Sequence, residues 1–203
     1  MNERERVISA VRRALEPLPV RAAYPEWDAA ITVARCVSEA GEADDRALFS
    51  AQLIAAHGHV LNGPEALAAF LKDQGAGVGY VDPELLPLLG SALAGFQVET
   101  AFDRNRVDAY EFGITRASGG IAETGSLILT DGDTPARLAA LAPWIHVAVL
   151  DPAAIFRTVE AAVATFGNDP SIIFVTGPSK TADIEGILIE GVHGPGIQAC
   201  CFC

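Results

Sequence analysis

The stretch "SIIFVTGPSKTADIEGILIEGVHGP", Ser171 to Pro195, decides how this chain folds. An apolar β-branched run, Ser171 to Val175, leads straight into a polar turn carrying Gly177, Pro178, Ser179, Lys180 and Thr181. The apolar run predicts a buried strand. The turn predicts the start of a helix near Ala182, with Ser179 or Thr181 as its cap and Asp183 and Glu185 in its first turn. Free amides at such a helix start, beside Lys180, suit a phosphate or carboxylate. An ordinary capped turn with a solvated lysine explains the same residues, and the two readings stand side by side. His193, in "GVHGP", falls just past the expected helix, where an imidazole also serves the helix C-terminus.

The same strand, turn and helix rhythm extends toward the N-terminus. Strands are expected at His59 to Leu61, Gly77 to Asp82, Leu127 to Leu129 and Ile145 to Leu150. Helices are expected at Asp44 to His57, Pro64 to Gln74, just after Pro83, Pro135 to Leu141 and Pro152 to Phe166. Gly58 stands where a left-handed helix cap is expected. This alternation predicts an α/β fold, a three-layer sandwich with a largely parallel sheet, in one domain over residues 44–203. Residues 3–16 form an amphipathic helix on Val7, Ile8, Val11 and Leu15, and residues 1–43 read as a helical lead and connector. In such sheets ligands bind beyond the C-terminal ends of the strands, a rule that selects the 176–183 turn.

The second motif is "SGGIAETGSLIL", Ser118 to Leu129, a Gly-rich turn that delivers a buried strand. A carboxylate held there, Glu123, can act as base or nucleophile when burial tunes its pKa, and a turn carboxylate in water is the plainer reading. Thr124, Gly125 and Ser126 adjoin it.

Other features exclude whole classes. The 203 residues carry a net charge of −12 with no compensating basic patch, so nucleic acid is not an expected partner. The longest apolar stretch, Leu138 to Leu150, is broken by Pro143 and His146, so membrane insertion is not expected. The N-terminus lacks the pattern of a secretory signal, which makes the cytoplasm the expected location. His57 and His59 in "HGH" read as capping or core residues, and Cys36, Cys200, Cys201 and Cys203 as reduced thiols without metal-site spacing. Neither G-x-G-x-x-G nor a Walker lysine motif is present, so no cofactor is expected in this chain.

"GIAETGSLIL" followed downstream by "VTGPSKTADIEGILIEGVHGP" closely resembles the LUD domain, over roughly Asp44 to Gln198. The resemblance implies a fold similar to the sugar-phosphate isomerase and coenzyme A transferase group. It also implies a subunit of an L-lactate utilization system that oxidises L-lactate to pyruvate, working with two iron-sulfur partner proteins and a small carboxylate ligand. The positions that match are Glu123, Thr124 and Gly125, then Gly177, Pro178, Ser179, Thr181, Asp183, Glu185, His193 and Gly194. On this basis Glu123, Asp183 and His193 are the expected catalytic groups. Thr124, Gly125, Ser126, Gly177, Ser179, Lys180 and Thr181 are the expected substrate-binding groups, with no metal ligand. A stand-alone enzyme on a phosphorylated sugar or acyl thioester, and a non-catalytic anion-binding assembly module, are the alternatives.

Overall fold

A computed structural model describes residues 2–15, 44–167, 171–182 and 187–203. The chain divides into two units, Met1–Arg35 and Cys36–Cys203. In the first, α1 (Glu3–Leu15) is the expected amphipathic helix, with Val7, Val11 and Leu15 exposed.

In the second unit the expected alternation produces a six-stranded parallel sheet. Its strands are β1 (His59–Asn62), β2 (Val78–Val81), β3 (Gln97–Glu99), β4 (Phe112–Arg116), β7 (Ile145–Leu150) and β12 (Ile197–Phe202). They lie in the order β1-β12-β7-β4-β2-β3. Alternate residues of the central strands feed opposite cores, as the two-residue period of a strand requires. On one face Ile114, Val147, Val149 and Cys201 pack with Leu67 and Leu71 of α3 (Pro64–Asp73). On the other, Ala148, Leu150, Cys200 and Phe202 pack with Phe49 and Leu53 of α2 (Asp45–Ala55). Helices thus cover both faces, and the α/β architecture read from the sequence is the one observed.

A second sheet, not anticipated, has the order β8-β5-β6-β9. Here β5 (Gly119–Ile121) and β6 (Ser126–Thr130) form the hairpin around "IAETGS", β8 is Ile155–Phe156 and β9 is Ile172–Val175. The apolar run Ser171 to Val175 therefore pairs antiparallel with β6 and not with the main sheet. Ala122 and Leu127 turn inward from this hairpin onto Phe49 and Leu150.

Three local expectations are corrected. The helix expected over Pro152 to Phe166 is a short 3-10 turn, then β8, then α6 (Val159–Val163). Pairing of Ile155 and Phe156 with β5 wins over helical periodicity, and the Thr158 hydroxyl restarts the helix by accepting from the Ala161 amide. The helix expected near Ala182 is a strand, β10 (Lys180–Ala182), paired antiparallel with β11 (Leu188–Glu190). Thr181 lies opposite Ile189, and β-branched residues favour that pairing. Ser179 and Thr181 therefore cap no helix, and His193 follows a strand. Finally, α2 ends at Ala55, two residues earlier than expected. His57 (φ 70) takes the left-handed position, and the Gly58 amide donates to the Leu53 carbonyl at 2.8 Å.

Candidate functional site

The two motifs meet at the C-terminal end of α2. Gly125 (φ 65) presses against that helix so closely that a Cβ there would lie 2.2 Å from the Leu53 amide nitrogen. Gly177 (φ 70) does the same one turn on, where a Cβ would lie 2.2 Å from the Ala56 carbonyl oxygen. Only glycine combines these left-handed angles with so close an approach. With both turns clamped on one helix end, Ser126 Oγ sits 2.7 Å from Thr124 Oγ1 and 2.5 Å from Thr176 Oγ1. Three hydroxyls, one from each side of the hairpin turn and one from the 176–179 turn, thereby form a continuous chain.

Two expected site residues are turned to other tasks. Glu123 Oε1 accepts from the Val159 amide at 2.6 Å, at the first residue of α6, while its Oε2 is buried without a hydrogen-bond partner. Lys180 Nζ donates to the Ala56 carbonyl at 3.0 Å and lies 3.7 Å from Glu190 Oε1, which is 2.7 Å from His57 Nδ1. A cation at the carbonyl end of α2 satisfies the helix dipole. Where the anion site's helix start was expected the described residues form β10, and its lysine serves a helix end. Asp183 and Glu185 lie outside the described residues.

The remaining groups enclose a cavity of about 280 Å³, lined by Thr176, Gly177, Ser179, His193, Gly194 and Gln198 among others. The Ser179 amide donates to the Pro195 carbonyl, and the Gly191 amide to the Ser179 carbonyl, both at 2.9 Å, so the loop carrying His193 is folded back over the turn.

Beneath the cavity lies a polar triad missing from the sequence reading. Gln198 Oε1 is 2.8 Å from His146 Nδ1, and His146 Nε2 is 2.9 Å from Thr115 Oγ1, all three residues being buried. The Gln198 Nε2 group donates to the Ala199 carbonyl, so its Oε1 accepts from His146 Nδ1–H and leaves Nε2 to accept from the Thr115 hydroxyl. Burial pulls the His146 pKa down to about 4 against the opposing hydrogen bond from Gln198, so the imidazole is neutral near pH 7. The signal available in the sequence was a histidine inside the otherwise apolar strand "IHVAVL", which had served only to break an apolar run.

A larger recess, about 620 Å³, opens on the other side of His193 and is walled by Trp144, Tyr110 and Val192. Of its two carboxylates, Asp108 and Glu111, the second accepts from the amides of Gly77 (2.6 Å) and Val78 (3.0 Å), which hold the Glu111 pKa below the ordinary range. It is committed to fastening the start of β2.

The description of the LUD domain matches residues 84–200, a span that contains both turns, His146, His193 and Gln198. The chain belongs to the LUD domain family. Among LUD relatives it is similar to Lactate utilization protein C of Halalkalibacterium halodurans, 34% identical over 103 residues that make up 47% of this chain and 44% of that protein. It is also similar to the uncharacterized protein NMB1437 of Neisseria meningitidis, 31% identical over 118 residues, 52% of this chain and 51% of that one. The matched region spans about half the length of these curated relatives. A crystal structure of a DUF162 family protein from Deinococcus radiodurans superposes with a TM-score of 0.58 at 22% identity, covering 78% of this chain and 96% of that one. That likeness supports the LUD fold independently of sequence.

Proposed function

We propose that this chain takes part in lactate utilization, as the subunit that holds L-lactate while it is oxidised to pyruvate, with two iron-sulfur proteins as its partners in the cytoplasm. The observation that carries the reading is the 280 Å³ cavity, small enough for a three-carbon acid, in which the TGPS turn and His193 converge. Several similar proteins that bear the name Lactate utilization protein C support it.

Conversion of lactate to pyruvate releases two protons and two electrons. In this reading the Ser179 hydroxyl and neighbouring polar groups orient the acid, and His193 accepts the proton of its 2-hydroxyl. The neutral triad of Gln198, His146 and Thr115 keeps the floor rigid without adding charge. The iron-sulfur clusters of the partner proteins would take the two electrons, and the second proton, from C2, would pass to water as they leave. Among the described residues, Cys201 Sγ lies 3.5 Å from Cys203 Sγ while Cys200 faces the other side of the main sheet. Glu123 acts as a positioning residue, fixing the start of α6 against the hairpin turn.

A second reading, a non-catalytic assembly module, is favoured by one observation: Glu123 and Lys180 are both engaged in fastening backbone. The two are separated by measuring lactate-dependent dye reduction by the purified chain, alone and with the two iron-sulfur proteins. Activity in the full mixture that falls at least tenfold with His193→Ala supports the substrate-holding role. Activity unchanged by His193→Ala leaves assembly as the function, and no activity with intact clusters removes lactate as the substrate.

A further inference from the structure

The direction of the chain connections reverses between β2 and β4. From β2 the chain passes to β3 on one side, and from β4 it passes, by way of the hairpin, to β7 on the other. At such a reversal the loops beyond the strand ends part and leave a crevice, the general ligand position in open α/β sheets. This chain has a cleft there of about 380 Å³, lined by Tyr80, Asp82, Glu84, Phe102, Arg104 and Arg116, with Arg137 at its border with α5 (Arg137–Leu141).

Its charges are arranged unusually for a chain with 14 lysines and arginines in 203 residues and a net charge of −12. Three arginines converge on this one cleft. Arg116 is already committed, 3.2 Å from the buried Asp82 and 2.8 Å from Glu84. Arg137 is held by Asp131 and by Ser171, yet its Nε is buried without an acceptor. Arg104 is exposed and forms no ion pair among the described residues. Two guanidinium groups therefore retain donor capacity. A buried N–H without an acceptor costs stability, and an incoming acceptor recovers it.

The surrounding acids narrow the ligand. Asp82, Glu84, Asp131 and Asp133 set four carboxylates against the three arginines. A second negative charge on a ligand would face them, which disfavours a phosphate dianion and favours a single carboxylate. Glu84 is an acceptor in the lining, more than half exposed, and suits a ligand hydroxyl that donates. Tyr80 and Phe102 meet edge to face at 5.7 Å and supply an aromatic wall. The Tyr80 phenol is held protonated, its pKa pushed up to about 12 by burial and by Asp82 against the pull of Arg116.

We propose that the cleft over the C-terminal ends of β2 and β4 is a binding site for a small monoanionic hydroxycarboxylate, separate from the cavity at His193, with Arg104 and Arg137 taking the carboxylate. Its existence does not rest on lactate being the substrate of the chain.

The test is NMR titration of the arginine Nε–H resonances, with Arg137 assigned through Arg137→Lys, using glycolate, L-lactate, D-glycerate, acetate and inorganic phosphate as probes. A saturable shift of the Arg137 Nε–H with at least one hydroxy acid is expected, at least tenfold tighter than with acetate or phosphate, and weakened at least tenfold in Arg104→Ala. That substitution is on an exposed side chain and leaves the fold intact, which the remainder of the spectrum reports. No shift, an Arg104→Ala variant that binds as well as the parent, or equal unsaturable shifts with all five probes, an adventitious ion only, would each overturn the site. Binding of glycolate or glycerate without lactate-dependent electron transfer retains the site and removes the lactate reading. Lactate-dependent activity with an unresponsive cleft does the reverse.

Discussion

Ser126 Oγ and Thr176 Oγ1 lie 2.5 Å apart although 50 residues separate them in the chain. This contact joins the two motifs into one polar assembly, and the Ser126 hydroxyl also holds Thr124 at 2.7 Å. Ser126→Ala removes the partner of two hydroxyls, those of half-buried Thr124 and exposed Thr176, which water can in part re-satisfy. The expected loss is about 0.5–1.5 kcal/mol of unfolding free energy, read as a lower urea midpoint at unchanged slope.

Gly125 and Gly177 tolerate no side chain. Either Gly→Ala change adds a Cβ in a left-handed conformation 2.2 Å from α2 backbone, so the turn must lift off the helix. Each variant is expected to lose about 2–4 kcal/mol, measured by thermal or urea unfolding. Gly132→Ala, where no atom lies within 4 Å of the new Cβ, is the control and is expected to fold as the parent does.

Lys180 distinguishes the sequence reading from the structural one. If it caps α2, Lys180→Met lowers stability by about 0.5–1 kcal/mol and leaves the affinity for small carboxylates unchanged. Calorimetric titration with L-lactate on parent and variant reads both outcomes. A tenfold loss of affinity with undiminished stability would return Lys180 to the ligand site.

His146 predicts a pH dependence. Its folded pKa is depressed from 6.5 to about 4, so between these values the unfolded chain binds the proton and the folded chain does not. The stability it contributes is present above pH 6.5 and is lost as pH falls toward about 4, to the extent of about 3 kcal/mol. Urea unfolding from pH 7.5 to 4.5 should show this fall, and His146→Gln should flatten it even where its absolute stability is lower.

The main sheet was largely legible because its buried strands carry apolar runs bounded by Gly and Pro, as at Gly77 to Asp82 and Ile145 to Leu150. What escaped was pairing. Phe112–Arg116, a central strand, holds Gly113, Thr115 and Arg116 and is absent from the strands expected from the sequence, since its pairing with β2 and β7 defines it. Residues 180–190 carry helix-compatible caps and acids, yet Thr181 and Ile189 satisfy each other across a hairpin, a long-range choice that local propensity does not encode. The site was legible in composition and not in roles. Gly125, Ser126, Gly177, Ser179 and His193 are brought to adjoining positions, whereas Glu123 and Lys180 point to backbone partners that only the folded chain defines. Arg104, Arg116 and Arg137 carried no motif at all, because they are gathered from three separate elements, a 3-10 turn, the end of β4 and the start of α5.

β12 lies between β1 and β7, with Ala199 set against His59 on one side and Val147 on the other. During synthesis β1 emerges from the ribosome with no strand to pair with, and the sheet stays split until the chain beyond residue 202 is free. Closure of the core is thus a late, non-local event, which predicts slow folding and a nascent chain that depends on holding factors to shield β1 and β7.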